Sequence, residues 1–151
     1  MTSTPQPVLF RERLWPSAWV FIAAALVIPA SLLVFLPISV LAGVLTAIVF
    51  YGAIVVALIL TTATIEVDDA LLRAGNAAIG RDLVSTAHAH RDADAVAERG
   101  QRLDARAWLL LRGWISPVVR IELNDPNDPT PYWLVSSRRP EELAAALTRS
   151  R

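Results

Sequence analysis

Between Arg13 and Glu66 the chain carries no charged residue, and Ser17 to Thr62 is dominated by Leu, Val, Ile, Ala and Phe. Such a run is costly to hydrate. At about 1.5 Å of helical rise per residue, residues 17–36 span about 30 Å, enough to cross a bilayer core once. Residues 38–60 are long enough to cross again, and a single span would leave that second stretch unexplained. Pro37 and Ser39 mark the reversal. The pattern predicts a two-helix transmembrane hairpin over 17–62. Pro29 should kink the first helix. Gly43 with Ala47, and Ala53 with Ala57, stand four apart, a spacing that lets helix backbones approach, although an Ala-rich background yields the same pairs. A cleaved signal peptide, with processing near Ile28-Pro29-Ala30-Ser31, is the competing reading; it demands a short apolar region, and this one continues.

Ahead of the hairpin, Met1–Gln6 has no periodicity and is expected to be a mobile terminus. Phe10-Arg11-Glu12-Arg13-Leu14-Trp15-Pro16 follows. Arg heads and indole rings suit a water–lipid boundary, so Arg11, Arg13, Trp15 and Trp19 are the expected interfacial anchors of an N-terminal segment 1–16. Arg11 and Arg13 precede the first span, Arg73 and Arg81 follow the second, and the reversal has none. The positive-inside rule then places both termini in the cytoplasm of a bacterial plasma membrane.

After the hairpin the pattern changes to period two. Thr64–Gly75 alternates around an Asp68-Asp69 turn and predicts a β-hairpin leaving the membrane directly. Further strands are expected at 77–80, 83–90, 107–114, 118–123 and 132–137, with 92–100 left open between short helix and loop. Asn124–Pro131 is a turn by composition. Pro140-Glu141-Glu142 opens a last helix with acids in its first turn and Leu143 and Leu147 on one stripe. The fold class expected is a membrane α-helical hairpin plus a small β-rich domain over 63–151, PH-like by element order, with an α+β sandwich as the alternative.

Composition sharpens this picture in a few places. Hydrophobic residues make up 54% and charged residues 19%, and the excess sits in the one apolar stretch. Fourteen basic and fourteen acidic residues leave no net basic field to draw nucleic acid. All fourteen bases are Arg, which with the many Ala residues suggests GC-rich coding and an actinobacterial source. With no Cys, disulfides and thiolate chemistry are excluded.

Candidate chemistry is sparse. His88 and His90 share a strand face where they could share a metal, with Asp92 a third ligand if the strand continues, yet surface histidines make the same pattern. Asn124, Asp125, Asn127 and Asp128 supply oxygens but lack the spacing, Gly turn and distant Glu of a calcium loop. No nucleophile–base set and no Gly-rich phosphate loop is present.

Strand alternation puts Trp108, Leu110, Arg112 and Trp114 on one face, with Leu109 and Leu111 on the other. It also sets Val118, Arg120 and Glu122 opposite Val119, Ile121 and Leu123. Taken as a pair, these strands have one aliphatic face that should be core. Their mixed Trp and Arg face, with Arg138 and Arg139 near Tyr132 and Trp133, is the candidate lipid or partner surface; Trp residues filling a core with Arg at its margin is the alternative.

Three blocks carry a resemblance: Phe10 to Pro16, Asp104-Ala105-Arg106-Ala107 leading to Leu111-Arg112-Gly113-Trp114, and Asp125 to Ser137 with Pro129-Thr130-Pro131-Tyr132-Trp133-Leu134-Val135-Ser136. In that order they resemble the actinobacterial domain-of-unknown-function family numbered three thousand and ninety-three, over nearly the whole chain. Gly113 stands where that family's pattern has Pro before Trp. The resemblance implies a two-span hairpin with a cytoplasmic β-rich domain and no assigned reaction. The expected function is a non-enzymatic membrane protein, without cofactor or metal, that serves a protein partner as adaptor or accessory subunit. Recognition of anionic lipid or a small ligand by the Arg and Trp face is the alternative, and a metal enzyme at His88 and His90 is the third reading.

Overall fold

The computed structural model describes residues 7–149, so the expected mobile terminus Met1–Gln6 lies outside the described residues. The elements are β1 (Phe10–Arg13), α1 (Ala18–Ala25), α2 (Val27–Phe35), α3 (Val40–Leu60), β2 (Thr64–Val67), β3 (Leu71–Ala74), β4 (Ala77–Gly80), β5 (Val84–His90), α4 (Asp92–Arg99), β6 (Trp108–Leu110), β7 (Val118–Leu123), β8 (Tyr132–Ser136) and α5 (Pro140–Thr148). They form two units: Trp15–Thr62, and the chain up to Leu14 together with Ala63 onward.

In the apolar unit, Ala18–Phe35 and Val40–Leu60 are each long and apolar enough to cross a membrane by length and composition. The first is interrupted at Leu26, whose N–H bonds Ala23 in a tightened turn at 3.2 Å. Pro29 accounts for the position of the break, since it removes the bond to the Ala25 carbonyl and its ring crowds that oxygen. Ser39 caps α3, its hydroxyl accepting from the Ala42 N–H at 3.3 Å. Of the two small pairs, Gly43 and Ala47 are buried while Ala53 and Ala57 are exposed. A methyl at Gly43 would lie 3.3 Å from Leu32 Cδ2 and 3.5 Å from Phe35 Cβ, so Gly lets α2 approach α3 closely and Ala there would ask the Leu32 side chain to give by a few tenths of an ångström.

The other unit holds the main departure from expectation. Phe10–Arg13 is a strand, alternating buried Phe10 and Glu12 with exposed Arg11 and Arg13. It pairs antiparallel with β2, Phe10 opposite Val67 and Arg13 opposite Thr64. The Leu14 N–H donates to the Ala63 carbonyl at 2.8 Å, closing the ladder where the apolar stretch leaves and returns. Phe10 and Leu14 are 5% and 0% exposed. Four residues are too few to reveal a period of two beside a long apolar run, which is why the segment reads as interfacial from sequence.

β1-β2-β3-β4 is an antiparallel sheet in sequence order; the second sheet runs β5-β7-β8-β6, with β6 parallel to β8 and the other pairs antiparallel. Between the sheets lie Ile65, Val67, Leu72, Val119, Ile121, Trp133 and Val135, closed by Leu143 and Leu147 of α5. The outer face of the second sheet is covered as well: Val118, Tyr132 and Leu134 pack with Ala95 of α4. Residues 92–99 are thus a helix because that face needs a cover.

β6 is shorter than the expected 107–114 strand and does not neighbour β7, because β8 lies between them. Register sets Trp108 beside Trp133 and Leu110 beside Val135, so these two face the core. Leu109, expected on the aliphatic core face, is 42% exposed at the sheet edge. Val119 and Ile121 are fully buried, in keeping with the aliphatic face assigned to that strand.

Candidate functional site

The register across both sheets gives the domain two ends. One end carries Leu14 and Ala63. β3 and β4 turn there through Gly75, whose φ of +60° suits glycine and whose N–H bonds the Thr64 carbonyl at 2.9 Å. A Cβ on Gly75 would sit 3.6 Å from Leu110 Cδ1, which brings β6 to the same end.

From β6 the chain enters a tight turn at 112–115, closed by the Ile115 N–H on the Arg112 carbonyl at 2.9 Å. Three further contacts hold it. The Arg112 N–H donates to Ser136 Oγ at 3.0 Å, Ile115 is 2% exposed, and Arg99 donates to the carbonyls of Ile115 and of Ser116, the latter at 2.6 Å. The half-buried Trp114 packs on the core and donates its indole N–H to the Leu14 carbonyl at 3.4 Å. Gly113 is exposed at the tip with open space around it.

The other candidate surface residues are dispersed. Trp108 stacks on Trp133, centroids 4.3 Å apart. Arg120 lies on the opposite sheet face, 3.1 Å from the buried Glu98 and 3.9 Å above the Tyr132 ring. Glu98 also pairs with Arg102 at 3.3 Å, and Tyr132 Oη accepts from the Asp104 N–H at 2.8 Å. Arg138 and Arg139 are exposed; Arg139 sits over Phe10 at 4.7 Å and donates to the Arg11 carbonyl at 2.6 Å. Of the anchors, Arg11 lies 3.6 Å from Glu66, Arg13 is exposed at the end of β1, and Trp15 and Trp19 are 42% and 59% exposed.

Three polar residues that sequence reasoning passed over tie the domain together. Glu12 accepts from Ser137 Oγ at 2.5 Å and from the Arg138 N–H at 2.9 Å, fastening β1 to the start of α5. Arg81, buried after β4, donates to the carbonyls of Ala146 and Arg149 at 2.9 Å each, against the negative end of α5. Glu98 joins α4 to β7. The sequence marks none of the three, since Phe10–Arg13 is too short for its alternation to single out Glu12 as inward-facing.

His88 is exposed and His90 half-buried on β5, while Asp92 lies beyond the strand in the first turn of α4. Among the described residues, no three His, Cys, Asp or Glu side chains stand together to hold a metal. In the 124–131 turn, Asp125 and Asp128 accept from the N–H groups of Asn127 and Thr130 at 2.8 Å each; both carboxylates thus brace the turn's own backbone.

Four carboxyls titrate low: Arg106 holds Asp104 down, Thr130 holds Asp128 down, and Asp68 and Glu141 are the other two. Backbone N–H groups of Leu71 and Ala70, with Arg73 beyond them, hold Asp68 below the ordinary range. The forked bond from Arg91 brings Glu141 down to about 2. A depressed carboxyl stabilises the fold above its ordinary pKa and loses that contribution as pH falls through its folded value. For Glu141 that window runs from 4.5 down to about 2. Arg91→Gln is expected to return the Glu141 midpoint toward 4.5, read by carboxyl-carbon NMR titration of protein in micelles. An unmoved midpoint would exclude Arg91 as the cause.

A family model described as "Protein of unknown function (DUF3093)" matches residues 9–147. No curated protein and no solved structure matches the chain.

Proposed function

We propose, from the premise that this chain belongs to the DUF3093 family of proteins of unknown function, that it is a non-catalytic integral membrane protein. In this reading a two-span hairpin holds a small cytoplasmic domain at the inner leaflet, where the domain serves as adaptor for a partner protein. The pairing of β1 with β2 carries it. Strands that flank the apolar stretch and hydrogen-bond to one another must emerge on the same side of any bilayer it enters, so the number of crossings is even.

The helices themselves favour an apolar solvent. Their most apolar windows are only 6% and 11% buried, and Leu33 and Leu60 are 75% and 79% exposed, a surface that water solvates at high cost. Arg11, Arg13, Arg73 and Arg81 flank the stretch and the reversal carries no Arg, which supports a cytoplasmic domain in an actinobacterial plasma membrane. Trp15 and Trp19 then serve at the boundary. A four-strand meander, the antiparallel trio β5-β7-β8 and a closing α5 support a PH-like reading in which the hairpin is inserted between the first two strands.

Photo-crosslinkers placed at exposed Arg138 and Glu142 in native membranes test the adaptor role. One protein captured reproducibly from both positions is the expected result. Adducts to lipid alone would contradict it.

A further inference from the structure

Segments 13–14, 63–64, 74–77 and 110–117 meet at the end that bears Leu14 and Ala63 and contain Arg13 and Arg112 but no acid, while His90 and Ser136, both in register with Val118, lead on to Arg91-Asp92 and to Arg138. Arg99 adds a third guanidinium there through its bonds to the Ile115 and Ser116 carbonyls. At the opposite end of the first sheet, the β2–β3 turn and the residues after β4 carry Asp68, Asp69 and Asp82 together with Arg81, which bonds the Asp68 carbonyl.

We infer that the Arg112-Gly113-Trp114 turn, with Arg13, forms a seat for the phosphates of anionic phospholipid headgroups. This rests on the membrane reading above and not on the adaptor role. Leu14 and Ala63 are the domain residues next to the apolar stretch, so a side chain bonded to Leu14 is one residue along the chain from where that stretch begins. Trp114 makes that bond, and its indole has the amphipathic character that suits a water–lipid boundary. Arg112 precedes it by two residues, in a turn whose backbone is fixed from Ser136, Arg99 and Ile115. A guanidinium on a rigid support loses little conformational freedom when it forks onto a phosphate. The same geometry removes Trp108 and Arg120 from the seat, because one is stacked in the core and the other is paired with Glu98 under α4.

The chain has no native Cys, so full-length protein in vesicles with single introduced cysteines provides the test. A polarity-sensitive fluorophore on Gly113→Cys reports the turn, one on Leu33→Cys reports the hairpin, and one on Asn127→Cys reports the far end of the second sheet. With a headgroup-depth quencher in phosphatidylglycerol vesicles, quenching is expected at Gly113→Cys but not at Asn127→Cys. Arg112→Gln should lower the ratio of seated to free turn about fivefold, equivalent to about 1 kcal/mol for one Arg at an anionic surface. The exposed Arg13→Gln should act in the same direction if Arg112→Gln fails to fold, and salt should weaken both.

If Gly113→Cys is as unquenched as Asn127→Cys while Leu33→Cys responds to an acyl-chain quencher, the seat is refuted and the hairpin stands. If Leu33→Cys is silent as well, the membrane reading falls and the seat with it. Equal quenching in phosphatidylcholine and phosphatidylglycerol overturns the anionic assignment. Shielding that appears only after native membrane proteins are added assigns the turn to a protein and refutes the lipid seat.

Discussion

Residues 63–151 produced alone are expected not to fold, whereas Pro7–Leu14 joined to Ala63 onward by a short Gly/Ser linker should give a folded domain that needs no detergent. The fragment lacks β1 and with it two core side chains, Phe10 and Leu14. Removing either one to Ala costs about 2–5 kcal/mol in a typical core, and a domain has only about 5–15 kcal/mol in total. The loss extends to the edge of β2, and to Ser137 and the Arg138 N–H, whose partner is Glu12. The 2.8 Å bond between Leu14 and Ala63 shows that a hairpin-length linker is sufficient. Amide NMR dispersion separates the outcomes. A well-dispersed spectrum from 63–151 alone would show that β1 is an accessory strand.

The second large effect is expected at Arg81. Its side chain is 5% exposed, and the nearest carboxylate, Asp69, stands 4.0 Å away, so the guanidinium is compensated chiefly by carbonyls of α5 and of Asp68. Arg81→Ala strands those buried acceptors, each at about 1–3 kcal/mol, and opens a cavity. In the linked domain it should cost about 3–5 kcal/mol by denaturant unfolding, the scale seen when one partner of a buried ionic contact is removed. Arg81→Lys should recover only part, because a single ammonium lacks the planar fork that reaches several carbonyls at once. A change below about 1 kcal/mol for Arg81→Ala would mean that α5 is held by Leu143 and Leu147 alone.

Sequence pattern was most informative where it was long. The uncharged stretch resolves into two helical runs near the expected limits, the first broken at Leu26 into α1 and α2, and β4 and β7 fall on the expected 77–80 and 118–123. Short elements without a distinct period were harder. Phe10–Arg13 has only four residues and sits next to a run that dominates any hydrophobicity reading, so its partner, more than fifty positions away in the chain, is invisible locally. β6 misled through its edge position, where pairing with β8 decides which face of Trp108–Leu110 is inner. Arg112 and Trp114 were legible as a mixed pair. Their separation from Trp108 and Arg120 required the register of three strands.

A disulfide trial between Arg13→Cys and Thr64→Cys in native membranes addresses the split domain most directly, since the two positions are partners across the β1–β2 ladder and lie on either side of the apolar stretch. Rapid, near-complete cross-linking is expected, with none between Arg13→Cys and Asn127→Cys. Failure to cross-link, with the two cysteines labelled from opposite sides of the membrane, would contradict a sheet closed across the hairpin.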